Sequence, residues 1–159
     1  MIPAALCFFL VVCLRSFAGN SMAFPWKSVG NWGLLLTCGV VFGKTLGGFI
    51  ADWVGAVRST WLTLGASAIL FLFADRPVCG VLAVFLFNMT MPVTLGALGR
   101  MLPGVKGFAF GTLTLALFAG LVPIVIWRSL TGLPYYCYSL MALLSAALLH
   151  FGFQKGRIS

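Results

Sequence analysis

Polar, glycine and proline clusters cut the chain into six apolar stretches, at about residues 3–24, 31–54, 58–74, 79–101, 107–128 and 135–153. A helix rising about 1.5 Å per residue needs roughly 17 to 25 apolar residues to cross a hydrocarbon layer about 30 Å thick. Every stretch meets that length, so the expected architecture is a single domain, residues 1–159, of six transmembrane helices. A backbone in lipid has no water to bond and must satisfy itself, which a helix does within one segment. The connections, at 25–30, 55–57, 75–78, 102–106 and 129–134, are short. Consecutive spans are therefore expected to lie side by side and antiparallel.

The balance of residue types closes off other classes. The chain is 62% hydrophobic and 8% charged, whereas soluble domains carry roughly 25% charged residues to face water. A soluble enzyme, a disordered tail and a secreted disulfide scaffold are excluded. The five cysteines, Cys7, Cys13, Cys38, Cys79 and Cys137, show no paired spacing, and His150 is the only histidine. They read as small packing residues, with no metal site and no cofactor expected. Glutamate is absent and no set of nucleophile, base and orienting group stands out, so no enzymatic chemistry is expected.

Ten Lys and Arg against Asp52 and Asp75 give a net charge of +8. The basic residues are strung singly between apolar runs rather than gathered in a patch, which speaks against a nucleic-acid partner and for topology signals. With both termini cytoplasmic, the inner side holds Arg58, Arg100, Lys106, Lys155 and Arg157, and the outer side holds Lys27, Arg76 and Arg128. Five against three favours that sense, in a bacterial-type plasma membrane. The first stretch has no basic leader and runs on past Arg15, so a retained helix rather than a cleaved signal is expected.

Two stretches resemble a known family. Gly48, Asp52, Gly55 and Arg58 fit a frame G-x-x-x-D-x-x-G followed by basic residues, between the second and third spans. The segment from Arg100 to Gly111, Arg-Met-Leu-Pro-Gly-Val-Lys-Gly-Phe-Ala-Phe-Gly, joins the fourth and fifth. Both are similar to loops at the same places in the six-helix repeat of the major facilitator superfamily. The resemblance implies an all-α membrane protein with one major facilitator-type six-helix repeat. Trp53 and Val57 stand where the family usually has Arg or Lys. Family members carry two such repeats, so the resemblance implies completion by a second copy, a homodimer about an axis along the membrane normal. It also implies that Asp52 holds the start of the partner's fifth span, near Lys106 and Gly107, in the outward-facing state. Without the family, Asp52 at a span end beside Arg58 and Arg100 reads as a local ion pair or a helix cap.

Two cations fall inside the spans. Arg15 lies 12 residues after Pro3, about 18 Å along the first helix and near mid-bilayer. Lys44 lies 8 residues before Asp52, roughly 12 Å from the same boundary. A cation at such depth costs at least ~2.5 kcal/mol and turns to a cavity or a counter-charge. Both aspartates sit at boundaries, so a bound anion is the simplest partner. Arg15 can grip a carboxylate or phosphate bidentately, and Lys44 adds a point charge; snorkelling to the headgroups is the alternative for each. The organic phosphate antiporter branch of the family similarly places an arginine on the first helix of each half. Asn88 falls at the depth of Arg15 and serves either as cavity lining or as a bond between helices.

Other polar residues read more plainly. Thr90 and Thr94 are expected to bond back to their own helix. Asn20 and Ser21 are placed at an outer vestibule, and His150 reads as interfacial. Phe24, Trp26, Trp127, Tyr135, Tyr136 and Tyr138 suggest an aromatic belt at the outer ends. Gly39, Gly43 and Gly47, four apart, allow close helix packing, while Pro92 and Pro123 allow bends.

The function expected from these features is alternating-access transport of a small anionic solute, of organic phosphate or carboxylate type, by a homodimer. Arg15, Lys44 and Asn88 would bind the solute. Gly48, Asp52, Gly55, Arg58 and Arg100 would form the gating motif. One subunit of a heterodimeric transporter, or a non-transporting accessory subunit whose cations pair with a partner's acid, stand as alternatives.

Overall fold

Helices account for nearly all of the computed structural model, which describes residues 2–102, 104–127 and 131–156. In chain order they are α1 (Ile2–Ser21), α2 (Trp32–Val54), α3 (Ala56–Leu72), α4 (Pro77–Asn88), α5 (Thr90–Met101), α6 (Lys106–Ile126) and α7 (Tyr135–Gly156), with a 3-10 turn at Pro25–Ser28 between the first two. Five helical segments are long and apolar enough to cross a membrane, with α4 and α5 together counting as one, Pro77–Met101. The sixth, α3, is apolar and 17 residues long. This is the make-up of a multi-pass membrane protein.

The six stretches are all present, with three differences. The first helix stops at Ser21, three residues short of the expected end, and the chain then turns through Phe24 and Pro25. The connection expected at 55–57 shrinks to Gly55 alone, whose φ of 94° and ψ of 142° reverse the chain in one residue. A side chain is disfavoured there, since this backbone region is nearly glycine-only. Gly55→Ala is accordingly expected to destabilise the protein by about 1–3 kcal/mol, read as a lowered melting temperature.

The third difference is a break in the fourth span. Met89 separates α4 from α5, and its N–H bonds Leu86 three residues back rather than four. Pro92 supplies the reason: it has no N–H to donate to the carbonyl of Asn88. Gly43 and Gly47 on α2 fit against this region. A Cβ on Gly43 would meet the Phe85 carbonyl oxygen, and one on Gly47 would meet the main chain of Met89. The glycine stripe thus serves close helix packing.

Alternation of direction is visible at both ends. The start of α1, the end of α5 and the start of α6 share one groove lined by Leu6, Met101 and Phe108. At the other end the Tyr138 hydroxyl donates to the Ser21 carbonyl at 2.9 Å, and Trp26 Nε1 donates to Ala74 O at 3.0 Å. Arg58, Arg100, Lys106 and Lys155 therefore lie toward the first end with Asp52, and Lys27 and Arg76 toward the second with Asp75. Pro103, Arg128 and Arg157 fall outside the described residues.

Helix α1 packs on α6 and α7, α2 on α4 and α5, α3 on α4, and α3 and α7 on each other. Exchanging α1, α2 and α3 for α4–α5, α6 and α7 leaves this neighbour pattern unchanged. The first and fourth spans run in opposite directions, so the exchange also reverses direction; the packing of α2 on α3 has no comparable counterpart between α6 and α7.

The core gathers Phe8, Val11, Leu64, Phe71, Phe87 and Leu149. The aromatic belt is corrected in part: Phe24, Trp26 and Tyr138 are buried, Phe24 stacking on Trp26 at 4.7 Å and Tyr138 lying against Phe71. Burial follows because the turn after α1 folds back over the bundle end, where Gly80 leaves room for the indole of Trp26. Trp127 and Tyr136 remain exposed.

Candidate functional site

Arg15 is the one buried charged side chain among the described residues, with 5% of its surface exposed. It stands on α1 among apolar neighbours such as Val11 and Val12, so the helix forms by its own hydropathy and carries the guanidinium inward. There Nη1 donates to Thr90 Oγ1 at 3.0 Å and Nη2 to Thr94 Oγ1 at 3.3 Å. Nε is buried without any hydrogen-bond partner. A buried guanidinium without a carboxylate is an unfinished arrangement, since the low dielectric makes each missing partner costly.

Neither acid supplies that partner. Asp52 sits in the last turn of α2, and Asp75 lies in the α3–α4 connection, near the Tyr135 hydroxyl. The sole partners of Arg15 among the described residues are two neutral hydroxyls. Both threonines also donate backward along the span, Thr90 across the break to Phe87 O of α4 at 2.9 Å and Thr94 within α5 to Met91 O at 2.7 Å. Back-bonding holds as expected; the second task, accepting from Arg15, was not legible in the sequence.

A cavity of about 400 Å³ lies beside Arg15, between α1, α2, α4 and the start of α5, toward the bundle end that carries the 3-10 turn. Lys44 and Asn88 line it with Arg15, so the three candidate binding residues share one space. Asn88 and Lys44 are level, because the Asn88 Cβ lies 3.3 Å from where a Cβ on Gly43 would stand. Asn88 lines the cavity, and its Nδ2 donates to Val84 O of its own helix at 2.8 Å rather than to a neighbouring helix. Asn20 lines the same wall, its Nδ2 committed to Ser16 O, whereas Ser21 is buried outside the lining. Lys27, read from sequence as a topology signal, also lines this cavity. The 3-10 turn brings it there, anchored by the buried Trp26.

The motif residues form a second group. Gly48, Asp52, Gly55 and Arg100 line a cavity of about 440 Å³ at the opposite end, with Pro92, Gly96 and Phe153. Arg58 is not part of its lining. The local ion pair and the helix cap expected for Asp52 are both corrected: among the described residues it makes no ion pair within 4 Å, and neither α3 nor α6 has a side-chain cap bond. The one-residue link at Gly55 explains this, since α3 starts too soon for Asp52 to turn back over its first N–H groups. His150 packs against Trp61 across α3 and α7 and bonds Gln154, away from both cavities.

No family model, no curated protein and no solved structure matches the chain.

Proposed function

We propose that the protein is a membrane carrier that moves a small anion by alternating access, as a homodimer of six-helix chains with a major facilitator-like architecture. The observation that carries this reading is Arg15: buried, without a carboxylate, its Nε unpartnered, at the wall of a cavity that Lys44 also lines. An anion supplies the charge and the acceptors that the chain lacks there. A strongly desolvated guanidinium is otherwise a cost without return.

Three further features support the carrier reading. Oppositely directed triplets with matching neighbours, and a span interrupted at the site's depth, are features that carriers use for midplane binding and rocking. Separate cavities at the two ends, divided by the contact of α2 with the Met89 break, suit a site reached from one side at a time. Only 11% of the most apolar stretch of α2 is buried, although this helix bears Lys44; a second copy is the cover that fits the half-built cavity wall. On this reading the end with Arg58, Arg100, Lys106 and Lys155 is cytoplasmic, and Asp52, without an ion-pair partner among the described residues, latches onto the partner subunit.

The test is made on the full chain in nanodiscs. Two copies per particle and a melting temperature raised several degrees by inorganic phosphate or succinate are expected, since a ligand of the folded state stabilises it by mass action. A monomer, or a particle holding a second kind of protein, overturns the homodimer. No stabilisation by either anion overturns the anion site. In liposomes, Asp52→Asn is expected to slow anion exchange by about tenfold while affinity stays within about twofold, as for a change in a gating step.

A further inference from the structure

The anion cavity carries cationic side chains at two separate levels and only neutral ones between them. On α2 its wall is a single helical face, Leu36, Thr37, Val40 and Lys44. Lys44, itself exposed, marks the deep end, level with Asn88. Lys27 stands at the mouth, its main-chain oxygen 3.1 Å from where a Cβ on Gly33 would lie. From Gly33 to Lys44 is 11 residues, about 16 Å along the helix axis.

The polar side chains between these ends are already committed. Thr37 Oγ1 donates to Gly33 O at 3.0 Å, Ser16 Oγ to Leu117 O at 2.6 Å, and Asn20 Nδ2 to Ser16 O at 2.8 Å. The ammonium groups of Lys27 and Lys44 have no hydrogen-bond or ion-pair partner among the described residues. Free cationic donors thus stand at the two ends of the cavity, separated by Leu36 and Val40. A compact anion satisfies the deep end alone and leaves the ammonium at the mouth idle.

We propose that the site takes an elongated dianion, one acidic group held by Arg15 and Lys44 beside Asn88, the other by Lys27, with an apolar spacer along Leu36 and Val40. This rests on reading the cavity as an anion site. Lysine side chains are long and flexible, so both ammonium groups reach toward a ligand shorter than the backbone separation. Chain length is then selected by the distance over which both ends are met together, as in any two-headed binding.

The experiment measures binding to the full-length protein in nanodiscs at constant ionic strength and neutral pH. The probes are succinate, glutarate, adipate and pimelate, each against the straight-chain monocarboxylate of the same carbon number. The expected result is a diacid preference of tenfold or more that peaks at one chain length. Lys27→Gln, at an exposed position, is expected to abolish that preference while leaving monocarboxylate affinity within twofold and the unliganded melting temperature unchanged; Lys27→Arg restores it. Equal binding of diacid and monoacid by the unaltered protein overturns the proposal while the anion site stands. So does an equal loss for both probes in Lys27→Gln, which makes Lys27 part of a general field. If no carboxylate and no inorganic phosphate binds the unaltered protein, the anion site itself is overturned and the proposal with it.

Discussion

Arg15→Ala is expected to lower anion affinity by 100-fold or more, about 2.8 kcal/mol at about 1.4 kcal/mol per tenfold, and to leave the fold intact. The two halves of this expectation have separate causes. Affinity falls because charge-assisted bonds from a desolvated guanidinium are among the strongest available to a ligand. The fold survives because Thr90 and Thr94 keep their bonds to Phe87 O and Met91 O when Arg15 leaves. No buried polar atom is newly orphaned, and the unpartnered Nε is removed. Melting with and without phosphate or succinate checks both: the unliganded midpoint should hold or rise, and the ligand-induced rise should vanish. An Arg15→Ala protein that is stabilised as strongly as the unaltered one would show that the anion binds elsewhere.

Gly47→Ala has the largest expected effect on stability. The added Cβ would stand 2.6 Å from both the Cα and the carbonyl carbon of Met89, which are backbone atoms and cannot swing aside. Overpacking of this kind costs about 1–3 kcal/mol, and the backbone contact places Gly47→Ala near 3, a fall in melting temperature of about 6–12 °C on the scale of a chain this size. Gly65→Ala in α3 is the matched control. Nothing lies within 4 Å of its would-be Cβ, so the change should be neutral or gain up to about 1 kcal/mol of helix propensity. Because Gly47 is less than one turn from Lys44, the same wedge should also displace the Lys44 ammonium and weaken anion binding. Equal melting of the two variants would mean that α2 does not rest on the break.

The candidate site was partly legible in the sequence because depth along a helix is a matter of counting. Arg15, Lys44 and Asn88 were placed at similar depths from the residues between each and its span end, and all three line one cavity. The break at Met89 had a signal, Pro92 four residues after Asn88, but a proline in a span bends some helices and interrupts others according to what packs against it. Here Gly43 and Gly47 let α2 approach closely enough to hold the interrupted form. Lys27 was missed because a basic residue between two spans serves orientation equally well. Its route into the cavity depends on Trp26 being buried and bonded to Ala74 O. The local ion pair that was one reading of Asp52 is absent among the described residues for the reverse reason: nearness in sequence to Arg58, and in level to Arg100, did not fix where the side chains meet.

What the sequence by itself determined is the number of apolar stretches, their helical state, the embedding of Arg15 and the lack of any carboxylate at its depth. Each of these depends on local hydropathy or on a plain inventory of residues, since hydrocarbon leaves the backbone only a helix or a closed barrel and the length of these stretches selects the helix. Only the tertiary structure decided which faces meet. Rotation of one helix against another is set by side chains interlocking across the contact, by glycines such as Gly43 and Gly47 that admit a neighbour's backbone, and by which polar atoms find partners. Those terms arise between segments far apart in the chain, such as Arg15 with Thr90 and Thr94, and no local pattern in either segment carries them.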